Sequence, residues 1–136
     1  MTKLSKPPVR LKQLSTQQLV DLFEQISLAQ GEAVAEFQTS RANRLIKKRY
    51  ELLAELRHRR VDKRPALFAL YSHRHPQVRL NVATSTYALN PERAEAVMRE
   101  IVASRLFPWA GDAGMHLSGL EHGDSMLPHD PELRAN

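Results

Sequence analysis

The stretch Asn90-Pro-Glu-Arg-Ala-Glu-Ala-Val-Met-Arg-Glu-Ile-Val-Ala-Ser-Arg105 has the clearest periodic pattern in the chain. Its apolar side chains recur at steps of three and four residues, which places them on one face of an α-helix. These side chains belong to Ala94, Val97, Met98, Ile101 and Val102. Asn90 is a favoured N-cap residue, and Pro91 suits the first helical turn because its missing N–H would have no partner there. The stretch therefore predicts an amphipathic helix over residues 91–105.

The rest of the chain repeats this kind of pattern. Ser15 and Gln18 have the spacing of a capping box, which predicts a first helix that ends or bends at Gly31. Residues 32–60 contain no proline or glycine and predict one long helix, with a kink near residues 39–40. Shorter helices are predicted over residues 64–71, 75–89 and 110–120. Because no stretch alternates apolar and polar residues as a half-buried strand does, we expect an all-α fold of about six helices.

Length and composition indicate one globular domain. The chain has 136 residues, of which 42% are hydrophobic and 26% charged, and it contains no cysteine. No apolar segment follows the basic N-terminus as in a secretory signal, and no run approaches the ~18–20 apolar residues that cross a bilayer. We therefore expect a cytoplasmic protein without membrane contact. We expect one helical domain over residues 13–122, a flexible basic arm at residues 1–12 and a mobile tail at residues 123–136.

The net charge of +5 is unevenly distributed, because residues 41–64 contain ten basic and three acidic residues, a net charge of +7. A basic helix of this kind can follow the phosphates of a nucleic acid, with Tyr50 available for stacking. The alternative is a solvated helix face, since Glu55 and Arg59 have favourable ion-pair spacing and the basic residues fall all around the helix. The candidate interaction surface comprises Arg41, Arg44, Lys47, Lys48, Tyr50, Arg57, Arg59, Arg60, Lys63 and Arg64.

Residues 75–89 resemble the second half of a HEAT or armadillo-type repeat. The features that carry the resemblance are Pro76, Val78, Arg79, Ala83 and Leu89. In such repeats a proline begins a helix, a small residue lies where two helices approach closely, and aliphatic residues lie between the layers. The resemblance implies that Arg79 reaches an acidic or carbonyl partner in the neighbouring unit.

A wider resemblance covers residues 15–122. It rests on Leu14-Ser-Thr-Gln-Gln-Leu-Val20, Asn43-Arg-Leu45, residues 51–56, 64–70 and 75–93, and above all Ala110-Gly-Asp-Ala-Gly-Met115. These segments are similar to a small bacterial family known only as domain of unknown function number two thousand and nineteen. The resemblance implies a right-handed α-α superhelix of the armadillo/HEAT type in an alpha-proteobacterial kind of protein, and it implies no activity. In the last segment, we expect Asp112 to cap the final helix, with Gly111 and Gly114 allowing close packing.

The sequence thus predicts a non-enzymatic helical-repeat module that binds another macromolecule, which we expect to be a protein. We expect no cofactor and no metal, and the oligomeric state is left open. A nucleic-acid-binding protein that uses residues 41–64 is the alternative. A remote alternative is an enzyme or metal-binding protein in which Asp112, His116 and Glu121 converge on an ion. His122, Asp124, His129 and Asp130 lie in the same C-terminal region.

Overall fold

The computed structural model describes residues 10–123, which are helical and contain no strand. The α-helices are α1 (Thr16–Ala35), α2 (Thr39–Arg57), α3 (Pro76–Ser85), α4 (Pro91–Ser104) and α5 (Trp109–His122), and two 3-10 helices span Leu11–Gln13 and Arg64–Ser72. The all-α prediction is confirmed. Most of the predicted arm and all but the first residue of the predicted tail lie outside the described residues.

Helix α1 begins with the predicted capping box. The Ser15 hydroxyl accepts a hydrogen bond from the Gln18 backbone N–H at 3.0 Å, and the Gln18 side chain accepts one from the Ser15 N–H at 2.8 Å. The predicted end at Gly31 is wrong, because α1 continues to Ala35. Gly31 marks a close contact instead, since a Cβ built on it would lie 2.8 Å from Cε1 of His75.

The chain breaks between α1 and α2, where the sequence predicted one long helix with a kink. Phe37 adopts a left-handed backbone with φ 58°. This conformation lets the N–H of Phe37 donate to the carbonyl of Val34 and the N–H of Gln38 donate to the carbonyl of Ala33. These two hydrogen bonds close the C-terminal end of α1. Phe37 thus lies between the two helices, and its side chain is 91% exposed.

A proline and a polar cap begin both α3 and α4, and those of α4 were predicted from the sequence. Pro91 lies in the first turn of α4, where Asn90 accepts a hydrogen bond from the Arg93 N–H. At α3, the Nδ1 atom of His75 accepts a hydrogen bond from the N–H of Gln77 at 3.0 Å. Two elements differ in type or length: Arg64–Ser72 is a 3-10 helix, and α3 ends at Ser85 although a helix was expected to continue to residue 89.

The core is formed by successive packing of neighbouring elements. Helix α1 packs mainly on α2, α3 packs on α1, on the second 3-10 helix and on α4, and α5 packs mainly on α4. The largest fully buried apolar side chains are Leu19, Phe23, Leu52, Leu56, Leu67, Val78, Val82, Met98 and Ile101. In the part of the chain that is described, no helix is long and apolar enough to cross a bilayer.

Candidate functional site

The predicted basic surface does not form a single face. Arg64 is only 2% exposed, and its guanidinium is bonded to Asp62 with Nη2 2.7 Å from Oδ2. Arg41 forms an ion pair with Glu32 at 2.9 Å. Arg59 forms one with Glu55 at 2.8 Å. The expectation that Arg64 belongs to an interaction surface is therefore wrong, because this side chain is part of the protein interior.

The basic residues that remain on the surface are spread over two elements. Arg44, Lys47 and Lys48 are exposed on α2, whereas Arg60 and Lys63 are exposed in the following turn. Arg57 is half-buried, and its Nε atom has no hydrogen-bond partner. Tyr50 is 55% exposed, and its ring covers the guanidinium of Arg49, with 5.2 Å between the guanidinium carbon and the ring centroid. The geometry thus reduces the predicted set to five exposed cations, three on α2 and two in the turn that follows it.

Arg49 is a buried residue that the sequence analysis did not single out. It is 7% exposed, and its Nη1 donates a hydrogen bond to the Ser85 hydroxyl at 2.9 Å. Burial lowers the pKa of Arg49, an effect that the neighbouring Tyr50 hydroxyl partly offsets. A sequence feature could have indicated this position: Ala42, Leu45, Arg49, Leu52 and Leu56 follow steps of three and four residues, so Arg49 occupies the buried stripe of α2.

The residues that carry the repeat-like pattern are placed in α3 and its C-terminal turn. Pro76 lies in the first turn, Val78 and Ala83 are fully buried, and Leu89 is 37% exposed. The expected ion-pair role of Arg79 is wrong within residues 10–123, where its side chain forms neither an ion pair nor a hydrogen bond and its Nε is buried without an acceptor.

Helix α5 begins differently from the prediction. It starts at Trp109 after Pro108, and no side chain caps its first turn. The expectation that Asp112 is the cap is therefore wrong, although its carboxylate in the first turn still suits the positive end of the helix dipole. A Cβ on Gly111 or Gly114 would meet its nearest neighbour at 3.9 Å, an ordinary contact. Neither glycine is required by a close helix approach.

The acidic residues and histidines of α5 do not converge. Within residues 10–123 no group of three or more His, Asp or Glu side chains is placed to hold a metal ion, so Asp112, His116 and Glu121 do not form the ion site considered above. Burial lowers the pKa of His116, Asp112 raises it, and the positive charge of Arg49 lowers it further. His129, Asp124 and Asp130 lie outside the described residues.

A buried polar network connects α1, α3 and α5, and the sequence analysis missed it. The Asn81 amide donates to Ser27 and to Gln30, at 2.9 Å in both cases. The Gln77 amide donates to Asn81 at 2.9 Å and accepts from the indole N–H of Trp109 at 2.9 Å. These bonds satisfy the side chains without solvent and fix the relative positions of the three helices. Trp109 is thus a structural residue that links α5 to α3.

Next to this network, two histidines are also engaged in structural contacts. His73 Nε2 lies 2.8 Å from a carboxylate oxygen of Glu24, and His73 Nδ1 accepts from the His75 N–H. The His75 ring packs edge-on against Trp109, with ring centroids 5.2 Å apart. Burial lowers the pKa of His75, and the nearby His73 and Arg79 lower it further.

An exposed apolar surface covers the end of the molecule at α4 and α5. We call it the α4–α5 apolar surface and define it as Val102, Leu106, Phe107, Gly111, Gly114 and Met115. Phe107 is 69% and Met115 75% exposed, and Val102 and Leu106 are also exposed. The residues are contiguous, because Phe107 lies against Gly111, Val102 lies against Gly114, and Met115 follows Gly111 by one helical turn. Exposed apolar patches of this kind are typical of binding surfaces.

Comparison with known proteins identifies the family. A model of the family described as "Domain of unknown function (DUF2019)" matches residues 17–121. The chain belongs to the DUF2019 family. The fold is also similar to the crystal structure of the protein RPA1889 from Rhodopseudomonas palustris CGA009, with a TM-score of 0.78 and 41% sequence identity over 85% of this chain and 96% of that one. No curated protein matches the chain.

The residues matched by the DUF2019 model include the main features described above. Arg49, the polar network around Asn81 and the α4–α5 apolar surface all lie within residues 17–121. The contact of Arg59 with the carbonyl of Leu11 and the capping hydroxyl of Ser15 reach residues N-terminal to the match. The family assignment therefore covers both the core and the candidate binding surface.

Proposed function

We propose that this DUF2019 protein is a non-enzymatic, cytoplasmic protein-interaction module of the armadillo/HEAT type. The observation that carries the proposal is the α4–α5 apolar surface, which lies on the last described helix pair. In helical-repeat proteins each unit buries its apolar face against the next one, and a terminal unit is usually polar on its outer side. An apolar outer side on α5 is therefore suited to a partner.

The order of packing supports the repeat assignment. Helix α2 packs on α1, α1 on α3, α3 on α4 and α4 on α5, so each helix has a packed neighbour on the next layer of this order. A right-handed superhelix presents its binding surfaces along its faces and at its ends. The burial of Val78 and Ala83 supports the repeat assignment.

The partner that fits the surface is an amphipathic helix with aliphatic or aromatic anchor residues and at least one acidic residue. Gly111 and Gly114 have no side chain, so they leave room between Val102, Phe107 and Met115 for an inserted apolar side chain. Arg105 is exposed beside Leu106 and forms no ion pair with a described residue. An acidic residue of the partner would neutralise this arginine at the rim of the contact.

A non-enzymatic role agrees with how the polar side chains are used. His75 caps α3, His73 contacts Glu24, and the amides of Gln77 and Asn81 are bonded to one another. These groups hold helices together, and their hydrogen-bonding capacity is taken up by the protein itself. The nucleic-acid alternative is weaker than the sequence suggested, because Arg41 and Arg59 are paired and Arg64 is buried.

Affinity capture with the full chain, followed by binding measurements on each purified captured protein, tests this function. We expect a partner whose affinity falls at least about tenfold in the variant Phe107→Ser/Met115→Ser, because central apolar anchors dominate such interfaces. The matched control is Phe37→Ser, which removes an exposed aromatic residue far along the chain and should leave the affinity unchanged.

Three results would contradict the proposal. The first is a captured protein that binds the double variant as tightly as the wild type. The second is a dimer of this chain in sedimentation experiments that dissociates in the double variant, since the surface would then belong to a second copy. The third is salt-sensitive binding of a labelled nucleic acid duplex or single strand that is lost when Lys47 and Lys48 are changed to Glu.

A further inference from the structure

Arg49 lies where α2 meets the C-terminal end of α3 and approaches α5. Its Nη1 donates to Ser85, the last residue of α3, and its charge affects the pKa of His116 on α5. Helix α2 otherwise packs mainly on α1, so the Arg49 side chain bridges a region in which the helices themselves make few contacts. The guanidinium is thus directed into a junction between three elements.

Among residues 10–123, no carboxylate pairs with the buried positive charge of Arg49. Its described partners are a neutral hydroxyl, Ser85 Oγ, and the face of the Tyr50 ring. Its Nε atom is buried and has no acceptor within hydrogen-bond distance. A buried charge that lacks an anionic partner is costly, and a buried donor without an acceptor adds to that cost.

Arg64 shows how the same chain accommodates a buried arginine with a carboxylate. Its Nε donates to both carboxylate oxygens of Asp62 at 3.1 Å, and its Nη2 donates to Oδ2 at 2.7 Å. Burial raises the pKa of Asp62, but the hydrogen bonds and charge of Arg64 outweigh it, so the pKa of Asp62 is lowered overall. Arg49 is buried to a similar extent, but no described residue accepts a hydrogen bond from its Nε.

The other arginines with an unpartnered Nε differ from Arg49 in burial. Arg57 and Arg79 are only half-buried, so part of each side chain is hydrated. Arg49 is more than nine-tenths buried. Arg49 is therefore the arginine for which an external anion would offset the largest desolvation cost.

We propose that Arg49 and Ser85 form a binding site for one oxyanion, either a carboxylate or a phosphate group. The anion accepts from the Nε–H of Arg49 and from the remaining guanidinium donors, in the fork geometry that arginine offers to both groups. The Ser85 hydroxyl supplies a further donor. Tyr50 covers one side of the guanidinium and is 55% exposed, so the anion enters by displacing this ring.

Binding at this site has a specific effect on His116. The positive charge of Arg49 lowers the pKa of His116, whereas the negative charge of Asp112 raises it. An anion beside Arg49 cancels the first effect and attracts a proton to the imidazole. The pKa of His116 therefore rises when the anion binds. The site is independent of the α4–α5 apolar surface, so either proposal can fail while the other holds.

Side-chain NMR of the full chain tests this site, with sodium phosphate and sodium acetate added in separate titrations at an ionic strength held constant with sodium chloride. We expect the Nε–H resonance of Arg49 to shift with saturation, and the titration midpoint of His116 to rise with phosphate, acetate or both. The anion that saturates identifies which oxyanion the site accepts. The exposed His122 serves as an internal reference.

Variants separate a built site from a general salt effect. Ser85→Ala is expected to weaken anion binding about fivefold to tenfold, since it removes one hydrogen bond to a charged ligand. It also keeps the test valid if Arg49→Gln does not fold. Arg79→Gln is the matched control, because it changes an arginine with an equally unpartnered Nε outside the site, and its affinity should equal that of the wild type.

Two results would overturn the site. One is the absence of a saturable shift at Arg49 with either anion. The other is a linear shift of Arg49, Arg79 and His122 in parallel, or an affinity that Ser85→Ala leaves unchanged.

Discussion

Phe37 combines a strained backbone with an exposed side chain. Its φ of 58° lies in the left-handed region, and its ring is 91% exposed. A non-glycine residue in this conformation costs about 1–2 kcal/mol, because its Cβ approaches the following carbonyl oxygen. The two hydrogen bonds that close α1 fix this conformation. The left-handed backbone of Phe37 therefore lowers the stability of the folded chain.

We expect Phe37→Gly to raise the free energy of unfolding by about 0.5–1 kcal/mol, because glycine adopts the left-handed region without strain. The gain is smaller than the strain itself, since glycine also makes the unfolded chain more flexible. Urea denaturation monitored by circular dichroism measures the change. Phe37→Ala is the matched control: it removes the ring but keeps the Cβ, so it should give little gain. Equal stabilisation by both variants would refute the backbone explanation.

Arg49 and Arg64 show what the sequence pattern could and could not predict about single residues. Both belong to a run of basic residues that reads as one solvated or nucleic-acid-binding segment. The burial of Arg49 follows from its position in the apolar stripe of α2, so periodicity alone could have predicted it. The burial of Arg64 does not, because it depends on the turn that places Asp62 beside it. Tertiary contacts decide the second case.

The packing of α1 against α3 depends on Gly31. A Cβ at this position would lie 2.8 Å from Cε1 of His75 and 3.0 Å from Cβ of Gln77. The His75 ring cannot move freely, because its Nδ1 accepts a hydrogen bond from the Gln77 N–H. The ring also packs against Trp109 in a T-shaped arrangement. The contact between the two helices is thus tight at a position that is also next to the polar network.

We expect Gly31→Ala to lower the free energy of unfolding by about 1–3 kcal/mol, the usual cost of inserting a methyl group into a well-packed contact. Gly114→Ala is the matched control. It lies within α5, where the added Cβ would meet Val102 at 3.9 Å, and it should stabilise the protein by about 0.5–1 kcal/mol through helix propensity. Urea denaturation measures both variants. If Gly31→Ala is as stable as the wild type, α1 and α3 are not held as closely as described.

The helices were more predictable than their ends. The stripe from Ala94 to Ile101 and the caps at Ser15 and Asn90 are local features, and the corresponding parts of α1 and α4 formed as predicted. Glycine was a poor guide to the end of α1, because Gly31 serves a helix contact and Phe37 takes the left-handed position. The polar network was not predictable, since Ser27, Gln77 and Trp109 are brought together only by the packing of three helices.

The charges of the molecule are arranged in two different ways. On the surface, pairs such as Arg41 with Glu32 and Arg99 with Glu95 contribute little to stability because water screens them. In the interior, burial disfavours the protonated forms of Arg49, His75 and His116 and lowers the pKa of each. The stability of the protein should therefore depend on pH through the interior groups.

His75 and His116 define the direction of this dependence. Burial comes first among the causes that lower the pKa of each below 6.5, the value for an unperturbed histidine. Around His75, the neighbouring His73 and Arg79 act in the same direction. Around His116, Arg49 acts in that direction and Asp112 opposes it. Below pH 6.5 the unfolded chain consequently binds more protons at these two positions than the folded chain does.

We expect the free energy of unfolding to fall as the pH is lowered from 7.5 through 6.5 to 5.5, and to level off once the lowered folded-state values are passed. The urea midpoint at these three pH values measures the effect. His116→Gln should flatten the dependence, because glutamine does not titrate, and the difference from the wild type isolates His116 from the contact between His73 and Glu24. A urea midpoint that is constant or rises on acidification would show that burial does not keep these two imidazoles neutral.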